Sequence, residues 1–335
     1  MNLFLRRAAV VAFAVPVALL TTTPASAAVV VADLGMLSGH DYSEARSVRD
    51  DGVAVGESYQ SGGGFRAVVF AGGTVTSLAT PGRNSGAHDI NSAGVIVGEA
   101  EPAGIERPYS VWWDGDGALH ELAGGHPGTA YAVNDAGVVV GLSDAQGLWP
   151  LRWESPTTPA VRLATLPGGE NYAGAYDVNA EGTVVGFSLA TDGTYHAVRW
   201  DPTGAVERLD DLAGHPSCRA DAINDAGIVI GTCRDDNGPV AVYWDDAGTV
   251  TALPSLGGNE TQSTGISDAG TIVGSAEDAD GRYHAVRWGT FGITRLATLG
   301  GTHGVALDIN DSGTVVGRTH SSDNVFHATE WRNAG

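Results

Sequence analysis

The chain alternates between short apolar runs and polar turns along most of its length. In one representative stretch the apolar runs are 175–179, 183–188, 196–201 and 206–209. They are rich in β-branched and aromatic residues, and Gly, Asp, Asn and Pro stand between them, as is typical of short β-strands. No segment shows the sustained 3.6-residue apolar period of an amphipathic helix. The pattern therefore predicts an all-β chain.

The pattern returns seven times, and each copy contains a version of the motif Ala-x-x-aliphatic-Asn-Asp-x-Gly-x-x-Val-Gly. Successive copies lie 42, 43, 45, 45, 43 and 43 residues apart. Four strands per copy at this period are typical of a β-propeller blade. We therefore predict a seven-bladed β-propeller of four-stranded blades. The closing glycines of the motif are Gly56, Gly98, Gly141, Gly186, Gly231, Gly274 and Gly317.

The two ends of the repeat region complement each other. The seventh copy stops after residues 331–333 without a fourth strand, and residues 30–39 are similar to residues 293–301, with Leu34 aligned to Leu296. We expect the N-terminal strand to join the last blade and close the ring, which hides sheet edges that would otherwise invite aggregation. Residues 28–335 would then form a single propeller domain.

Residues 1–27 have the parts of a secretory signal peptide: Arg6 and Arg7, an apolar stretch at 8–20, and small residues at 25–27. We predict Sec export with cleavage after position 27, and the Arg pair leaves twin-arginine export as an alternative. The apolar stretch is too short to span a bilayer. A soluble, secreted protein is therefore expected.

The charge balance narrows the range of partners. The chain has 18 Lys and Arg residues against 39 Asp and Glu residues, a formal net charge of −21, and none of the basic residues is Lys. So acidic a surface repels nucleic acid and anionic lipid. We expect a monomer that contacts neither, and a cation-binding role is the alternative use of the charge.

Both cysteines lie in the fifth copy. Cys218 and Cys233 flank a segment whose turn, 224–227, would fold it as a hairpin and bring the two cysteines opposite each other. Export makes a disulfide chemically favourable. No His or further Cys lies nearby in sequence to support a metal pair, so we predict a disulfide.

Residues shared by the copies are interpreted as structural. The Asn-Asp-x-Gly segments are expected to form the turn of the first hairpin, because Gly adopts positive φ there and Asn or Asp bonds its own backbone. Large aromatic residues of the third strand are assigned to packing between blades rather than to a cofactor or sugar stack. They are Phe70, Trp113, Trp153, Trp200, Trp244, Trp288 and Trp331.

Calcium is an alternative role for two of these turns. Segments 177–182 and 308–313 place oxygen-bearing residues alternately before a Gly, as calcium loops do. However, Ala93 and Ala222 replace ligand positions in other copies, and no Glu follows at the spacing of a full calcium loop. We therefore expect no cofactor, with Ca²⁺ or another divalent cation as the alternative.

The third strand carries a recognisable signature. The segments His196-Ala197-Val198, 284–286 and 327–329 resemble the His-Ala-Phe signature of the HAF family of bacterial extracellular repeat proteins. The Asn-Asp-x-Gly-x-x-Val-Gly core resembles that family too, and the match covers all seven copies. Val or Thr stands where the signature has Phe. The resemblance implies an exported bacterial protein of propeller-like architecture and brings no catalytic residues.

Candidate functional residues lie where the copies differ, because a site added to a repeated frame must break the repeat. Three places before the motif Asn, the residue type changes in every copy but one. We predict that these side chains form a site near the axis. They are Arg46, His88, Tyr131, Tyr176, Asp221, Thr264 and Leu307.

The loop that enters the first strand of each copy varies likewise. In a propeller these loops share one face, and loops on a rigid frame often carry binding groups. We predict a binding ring there, and the four histidines leave a metal site as an alternative. The loop candidates are His40, Asn84, His126, Glu170, Asn171, His215, Glu260 and His303.

The sequence contains no Gly-x-Ser-x-Gly, His-Glu-x-x-His, phosphate-loop or dinucleotide-binding motif. The leading hypothesis is therefore an exported, non-enzymatic propeller that binds an extracellular glycan or protein at its loop face. One alternative is a metal-dependent lyase or hydrolase of the propeller type, with His and Glu residues from different blades. Another is a purely structural surface or matrix protein.

Overall fold

A computed structural model describes residues 29–105, 107–290 and 292–333. The described residues form 28 β-strands arranged as seven four-stranded antiparallel sheets, and none of them is helical. The prediction of a seven-bladed all-β propeller is therefore confirmed. The predicted signal peptide lies outside the described residues. No helix among the described residues is long and apolar enough to cross a membrane.

Blades 1–6 each follow the chain from the innermost to the outermost strand. Blade 1 contains β2 (Tyr42–Val48), β3 (Ala54–Gln60), β4 (Gly64–Ala71) and β5 (Thr74–Ser77). Blade 2 contains β6 (Ser85–Ile90), β7 (Ile96–Ala100), β8 (Tyr109–Trp113) and β9 (Leu119–Glu121). Blade 3 contains β10 (Gly128–Val133), β11 (Val139–Ser143), β12 (Trp149–Trp153) and β13 (Val161–Arg162). Blade 4 contains β14 (Ala173–Val178), β15 (Val184–Leu189), β16 (Tyr195–Trp200) and β17 (Val206–Arg208).

Blades 5 and 6 continue in the same order. Blade 5 contains β18 (Ser217–Ile223), β19 (Val229–Asp235), β20 (Gly238–Trp244) and β21 (Val250–Ala252). Blade 6 contains β22 (Gly257–Ile266), β23 (Ile272–Asp278), β24 (Tyr283–Gly289) and β25 (Gly292–Arg295).

Blade 7 closes the ring, with strand order β1-β28-β27-β26. Its strands are β26 (Gly300–Ile309), β27 (Val315–Ser321), β28 (Phe326–Asn333) and β1 (Val29–Gly35). The N-terminal strand pairs antiparallel with β28, and Val31 lies opposite Trp331. The expected complementarity of the two ends is therefore confirmed.

A β-bulge interrupts the innermost strand of every blade, between Ala45 and Ser47 in blade 1 and at the equivalent place in the other six. The closing Gly of the motif lies opposite the residue before the bulge. A Cβ atom on Gly56 would lie 2.1 Å from the backbone oxygen of Glu44, and the other six glycines meet the neighbouring strand at 2.0–2.2 Å. Every copy therefore needs Gly there, because the two inner strands approach too closely for any side chain.

The cores lie between neighbouring blades. One buried cluster joins Val55 and Leu78 of blade 1 to Ile96 and Trp113 of blade 2, and six further clusters in the described chain are arranged in the same way. The recurring Trp side chains are at most 3% exposed. Each indole N–H donates to a carbonyl oxygen of the preceding blade, as from Trp113 to Ala79 at 2.7 Å. The third-strand aromatics thus pack and hydrogen-bond between blades.

The motif Asn lies in the turn that ends the innermost strand of its blade, and there it joins neighbouring blades. Asn134 accepts the N–H of Val138 at 2.9 Å within its own turn, and its Nδ2 donates to the backbone oxygen of Asn179 at 2.9 Å. The equivalent inter-blade bond recurs at Asn91, Asn179, Asn224 and Asn310. These buried amides therefore form a chain of hydrogen bonds that links most of the blades, including the last to the first.

The predicted disulfide is confirmed. Cys218 and Cys233 lie directly opposite each other in the first hairpin of blade 5, and their sulfur atoms are 2.03 Å apart. Both residues are buried. The bond therefore fixes the two inner strands of blade 5 next to the axis.

We expect loss of the disulfide to destabilise the protein without changing its fold. A cross-link that closes a loop of this length contributes about 3 kcal/mol to the free energy of unfolding, mainly by restricting the unfolded chain. A Cys218→Ser/Cys233→Ser variant should therefore unfold at lower urea concentration than the oxidised protein. Reductant should shift the wild type toward the variant and leave the variant unchanged. Equal midpoints for oxidised and reduced wild type would contradict the expectation.

We also expect Asn134→Ala to destabilise the protein by about 2 kcal/mol, because it leaves a buried N–H and a buried carbonyl without their partner. Urea unfolding of the variant measures the change. Asn237→Ala is the matched control, because the Asn237 side chain is exposed and bonds only Asp235 in its own turn. Equal stability of the two variants would show that the inter-blade bond contributes little.

Candidate functional site

The seven bulge residues are the seven residues that the sequence comparison selected three places before the motif Asn. A bulge residue has no opposite partner in the ladder, so its side chain is free to point in a new direction. Four of them are neighbours around the axis. Arg46 Nη1 lies 3.1 Å from Nδ1 of His88, whose ring meets Tyr131 edge-on at 5.4 Å between centroids. The ring of Tyr131 in turn meets Tyr176 at 5.1 Å.

A second ring of variable residues was missed by the sequence analysis. It consists of the residue that directly follows the Val-Gly of each motif, on the second strand of each blade. The same comparison of copies, applied one position after the Gly, would have found it. These residues are Glu57, Glu99, Leu142, Phe187, Thr232, Ser275 and Arg318.

Blades 7 and 1 contribute a cluster of charged side chains. Glu44 accepts hydrogen bonds from Arg46 Nε at 2.6 Å, from Arg318 and from the Tyr42 hydroxyl. Arg46 also forms an ion pair with Glu57 at 3.0 Å. The Glu44 side chain is only 5% exposed and that of Glu57 is 15% exposed. Glu57 is therefore the carboxylate of this pair that a ligand at the axis can reach.

The two carboxylates have opposite pKa shifts. Burial raises the pKa of Glu44, but Arg46 and Arg318 outweigh it and hold the pKa below its usual value. Burial is also the main influence on Glu57, where Arg46 opposes it while Glu44 and Glu99 add to it, and the pKa is raised to about 7. Two neighbouring carboxyl groups, one ionised and one half-protonated near neutral pH, are the arrangement that acid–base catalysis uses.

Blade 2 adds a neutral histidine to this cluster. Burial, and then the adjacent Arg46 cation, hold the pKa of His88 well below its usual value. Glu99 accepts a hydrogen bond from the Thr129 hydroxyl at 2.5 Å. Burial, and then Glu99, raise the pKa of Tyr131. We call the surface around the propeller axis the axial wall; in blades 1–3 it includes Arg46, Glu57, His88 and Tyr131. At neutral pH this part offers one titrating carboxyl (Glu57), one neutral imidazole (His88) and one arginine cation (Arg46).

Blades 4 and 5 form an aromatic pocket of about 130 Å³ on the same wall. The Phe187 ring lies at its centre, with ring centroids of Tyr172, Tyr176 and Tyr195 at 5.6, 5.7 and 6.0 Å. Two arginines and a threonine complete the lining: Arg219, Arg234 and Thr232.

Asp221, another bulge residue, orients one of those arginines. Arg219 Nε donates to Asp221 Oδ1 at 2.7 Å, and the guanidinium lies 5.6 Å from the Tyr176 ring centroid. The hydroxyl of Thr232 donates to Asp221 Oδ2 at 3.1 Å. Burial raises the pKa of Asp221, and Arg219 opposes that rise.

The predicted loop residues have separate surroundings. His215 Nε2 lies 3.7 Å from Asp235, Glu260 accepts the Tyr283 hydroxyl at 2.5 Å, and Asn84 donates to Glu101 at 2.8 Å. Asn84 and His215 lie just before β6 and β18, as predicted, but Glu260 lies inside β22 rather than in a loop, because the inner strand of blade 6 begins earlier than in most other blades.

The remaining histidines predicted for these loops also have individual neighbours, and one of them, His303, lies inside β26 rather than in a loop. The ring of His126 meets Trp153 at 6.4 Å, and the ring of His303 lies 5.2 Å from His320. The backbone N–H of His40 donates to Leu37. Two further loop candidates, Glu170 and Asn171, are exposed. A binding ring at this face stays a prediction.

Three aspartates lie near the end of the innermost strands, two places before the motif Asn. Each accepts a backbone N–H of another blade, as Asp177 does from Ile223 at 2.8 Å. Burial raises the pKa of all three, and their backbone donors lower it. The pKa reaches about 7 in Asp177 and about 6 in Asp308, and it is also raised in Asp89.

The oxygen atoms considered for calcium are engaged in hydrogen bonds. Asp177 Oδ1 accepts the N–H of Val178 at 2.7 Å, and Asn179 Oδ1 accepts the N–H of Thr183 at 2.9 Å. Among the described residues, no group of three or more His, Cys, Asp or Glu side chains is placed to hold a metal ion.

The signature histidines pair with aspartates away from the axis. His196 is buried between Asp192 and Asp211, with 2.9 Å from a ring nitrogen to each carboxylate. His284 bonds Asp278 at 2.7 Å and His327 bonds Asp33 at 2.8 Å. These contacts tie the third strand to a neighbouring turn or outer strand. The similarity to HAF repeats itself stays a prediction.

No protein-family model and no curated protein matches the chain. Solved propellers do match. A streptogramin B lyase is 10% identical with a TM-score of 0.61, covering 91% of this chain and 98% of that one. Virginiamycin B lyase from Staphylococcus aureus is 10% identical with a TM-score of 0.62, covering 90% and 99%. A puromycin hydrolase is 14% identical with a TM-score of 0.52, covering 86% of this chain and 50% of that one.

These neighbours correct one expectation of the sequence analysis. A non-enzymatic binding protein was expected because the chain has no familiar catalytic motif. The solved propellers above are instead enzymes, two lyases and a hydrolase. Propeller enzymes gather their groups from several blades, so a short motif is not required for activity. At these identities the likeness shows that this chain shares their fold.

Proposed function

We propose that the protein is an exported lyase or hydrolase of the propeller type, with its active site on the axial wall of blades 1–3. The observation that carries the proposal is Glu57, a reachable carboxyl group whose pKa is raised to about 7 beside the Arg46 cation and the ionised Glu44. Perturbed carboxyl groups of this kind concentrate at functional sites.

Glu57 would move the proton in either reaction. Its ionised form takes a proton from water in a hydrolysis, or from a carbon next to a carbonyl group in an elimination. Its protonated form returns that proton to the leaving group. Arg46, 3.0 Å from Glu57, would stabilise the negative charge that develops on the substrate oxygen. A carboxyl pKa near the working pH suits both directions of transfer.

His88 would position the arginine of this pair. It is neutral, and its Nδ1 and Nε2 lie 3.1 and 3.3 Å from Arg46 Nη1, so it would hold the guanidinium in place beside Glu57. A virginiamycin B lyase with a single histidine-to-alanine change is catalytically inactive, so that propeller depends on one histidine. The comparison supports a role for a histidine in the proposed site.

The proposed export rests on the predicted signal peptide at residues 1–27. The disulfide between Cys218 and Cys233 supports it, because disulfides persist in oxidising compartments. The substrate would accordingly be met outside the cytoplasm.

The activity is tested by incubating the mature chain with quinupristin, 4-nitrophenyl esters, 4-nitrophenyl glycosides and acidic polysaccharides, with products detected by mass spectrometry. We expect turnover of one class, with a rate that changes with pH around 7. Glu57→Gln should lower that rate by about 10² or more, the usual share of a general acid or base. Glu207→Gln is the control, because Glu207 is an exposed carboxylate paired with Arg199. Turnover unaffected by Glu57→Gln would remove Glu57 from the mechanism.

The raised pKa also predicts a pH dependence of stability. Between about pH 4.5 and 7 the folded protein binds a proton at Glu57 that the unfolded chain releases, so its contribution to stability is largest at low pH and is lost as the pH rises through 7. Asp177 and Asp308 act in the same direction. The wild type should lose free energy of unfolding between about pH 4.5 and 7, and Glu57→Gln should make this loss smaller without abolishing it. Urea unfolding at both pH values measures the loss. An equal loss in wild type and variant would contradict the raised pKa of Glu57.

A further inference from the structure

The aromatic pocket of blades 4 and 5 suggests which substrate the enzyme takes. We propose that it binds a single six-membered ring carrying a carboxylate, and that this ring is part of the substrate; the second statement rests on the proposed function. The pocket volume of about 130 Å³ suits one ring of this size. A planar aromatic ring and the C–H face of a sugar both pack on such a wall.

The ring-binding wall is built from blade 4. Tyr176 is a bulge residue, Phe187 follows the Val-Gly, and Tyr172 precedes the inner strand. Phe187 is 5% exposed and fixes the three tyrosines through edge-on and stacked contacts, whereas Tyr172 is 44% exposed. Tyrosines held in this way offer a large rigid apolar surface with a polar hydroxyl at its edge, which suits a ligand that is apolar on one face and polar at its rim.

The preference for an anion comes from blade 5. Arg219 and Arg234 both line the pocket, and no carboxylate of the described residues is part of its lining. Asp221 pairs with Arg219, so the pocket carries one excess positive charge. Within the described residues, Arg234 forms no ion pair with any carboxylate. The whole chain has a formal charge of −21, so a locally positive pocket would draw an anionic group to this place. A guanidinium binds a carboxylate through two parallel N–H donors.

A chain of side-chain contacts joins the pocket to the proposed acid–base groups of blades 1 and 2. Tyr176 meets Tyr131, and Tyr131 meets His88, which Arg46 joins to Glu57. A substrate with its ring in the pocket therefore extends along a continuous wall toward Glu57. The disulfide supports the far side, because Arg219 and Thr232 directly follow and precede Cys218 and Cys233.

Binding is tested by isothermal titration of the full mature chain with four probes. Glucuronate and 4-hydroxyphenylacetate carry the carboxylate, and glucose and 4-methylphenol are their neutral counterparts. We expect one acid to bind with a dissociation constant on the order of 1 mM, at least about tenfold more tightly than its counterpart, the usual effect of a charge-assisted hydrogen bond. Which acid binds decides between a sugar and an aromatic ring.

Three variants locate the binding. Arg234→Ala should remove the preference for the acid, and Tyr172→Ala should weaken both members of the pair by about tenfold; both side chains are exposed enough for the variants to fold. Arg282→Ala, an exposed arginine paired with Asp280, is the matched control and should bind normally. Reduction of the disulfide should also weaken binding.

Several outcomes would overturn the inference: no binding of either acid up to about ten times the expected dissociation constant, equal binding of acids and neutral counterparts, or normal binding by Tyr172→Ala. The Glu57→Gln variant separates this inference from the proposed activity. It should bind the acid normally while losing turnover. Binding without turnover in the wild type would contradict the proposed enzyme activity and would still support the ligand assigned to the pocket.

Discussion

The close approach of the two innermost strands in every blade is the constraint on which the rest of the structure depends. Where the closing Gly of the motif faces the neighbouring strand, a Cβ atom would lie about 2 Å from a backbone oxygen. Directly after this contact the strand next to the axis carries a bulge, and the bulge residues of blades 1–4 meet one another around the axis. The same local geometry therefore fixes the most constant residue of the repeat and exposes its most variable one.

This division of roles explains how one frame carries different chemistry at different blades. Constant groups make bonds between blades and are not free to change: the Trp indoles bond the preceding blade and the motif Asn amides bond the following one. Variable positions make bonds along the axial wall. Arg46, His88 and Glu57 come from blades 1 and 2, whereas Tyr176 and Phe187 come from blade 4, so one wall combines a charged part and an aromatic part.

The sequence was sufficient for the fold and for part of the site. Strand pattern, period and chain ends predicted the propeller and its closure, and comparison of copies selected Arg46 and His88, which belong to the proposed site. The sequence could not give the pKa of Glu57, which depends first on burial and then on Arg46, Glu44 and Glu99, and these are brought together only by the bulge and the packing of blades 1 and 2. The absence of a short motif also led to the wrong expectation of a binding protein. In a propeller, reacting groups lie a whole repeat apart, where spacing carries no information.

The location of the cores has an evolutionary consequence. Each hydrophobic cluster consists of two halves from neighbouring blades, and the last is completed by Val31 of the N-terminal strand. If one whole repeat were duplicated or deleted, the half-cluster on each blade would therefore still face a half-cluster on its new neighbour. What would change is the curvature at each junction and the width of the axis. The number of repeats in such a lineage is consequently limited by how far those junctions can bend, rather than by the stability of any one repeat.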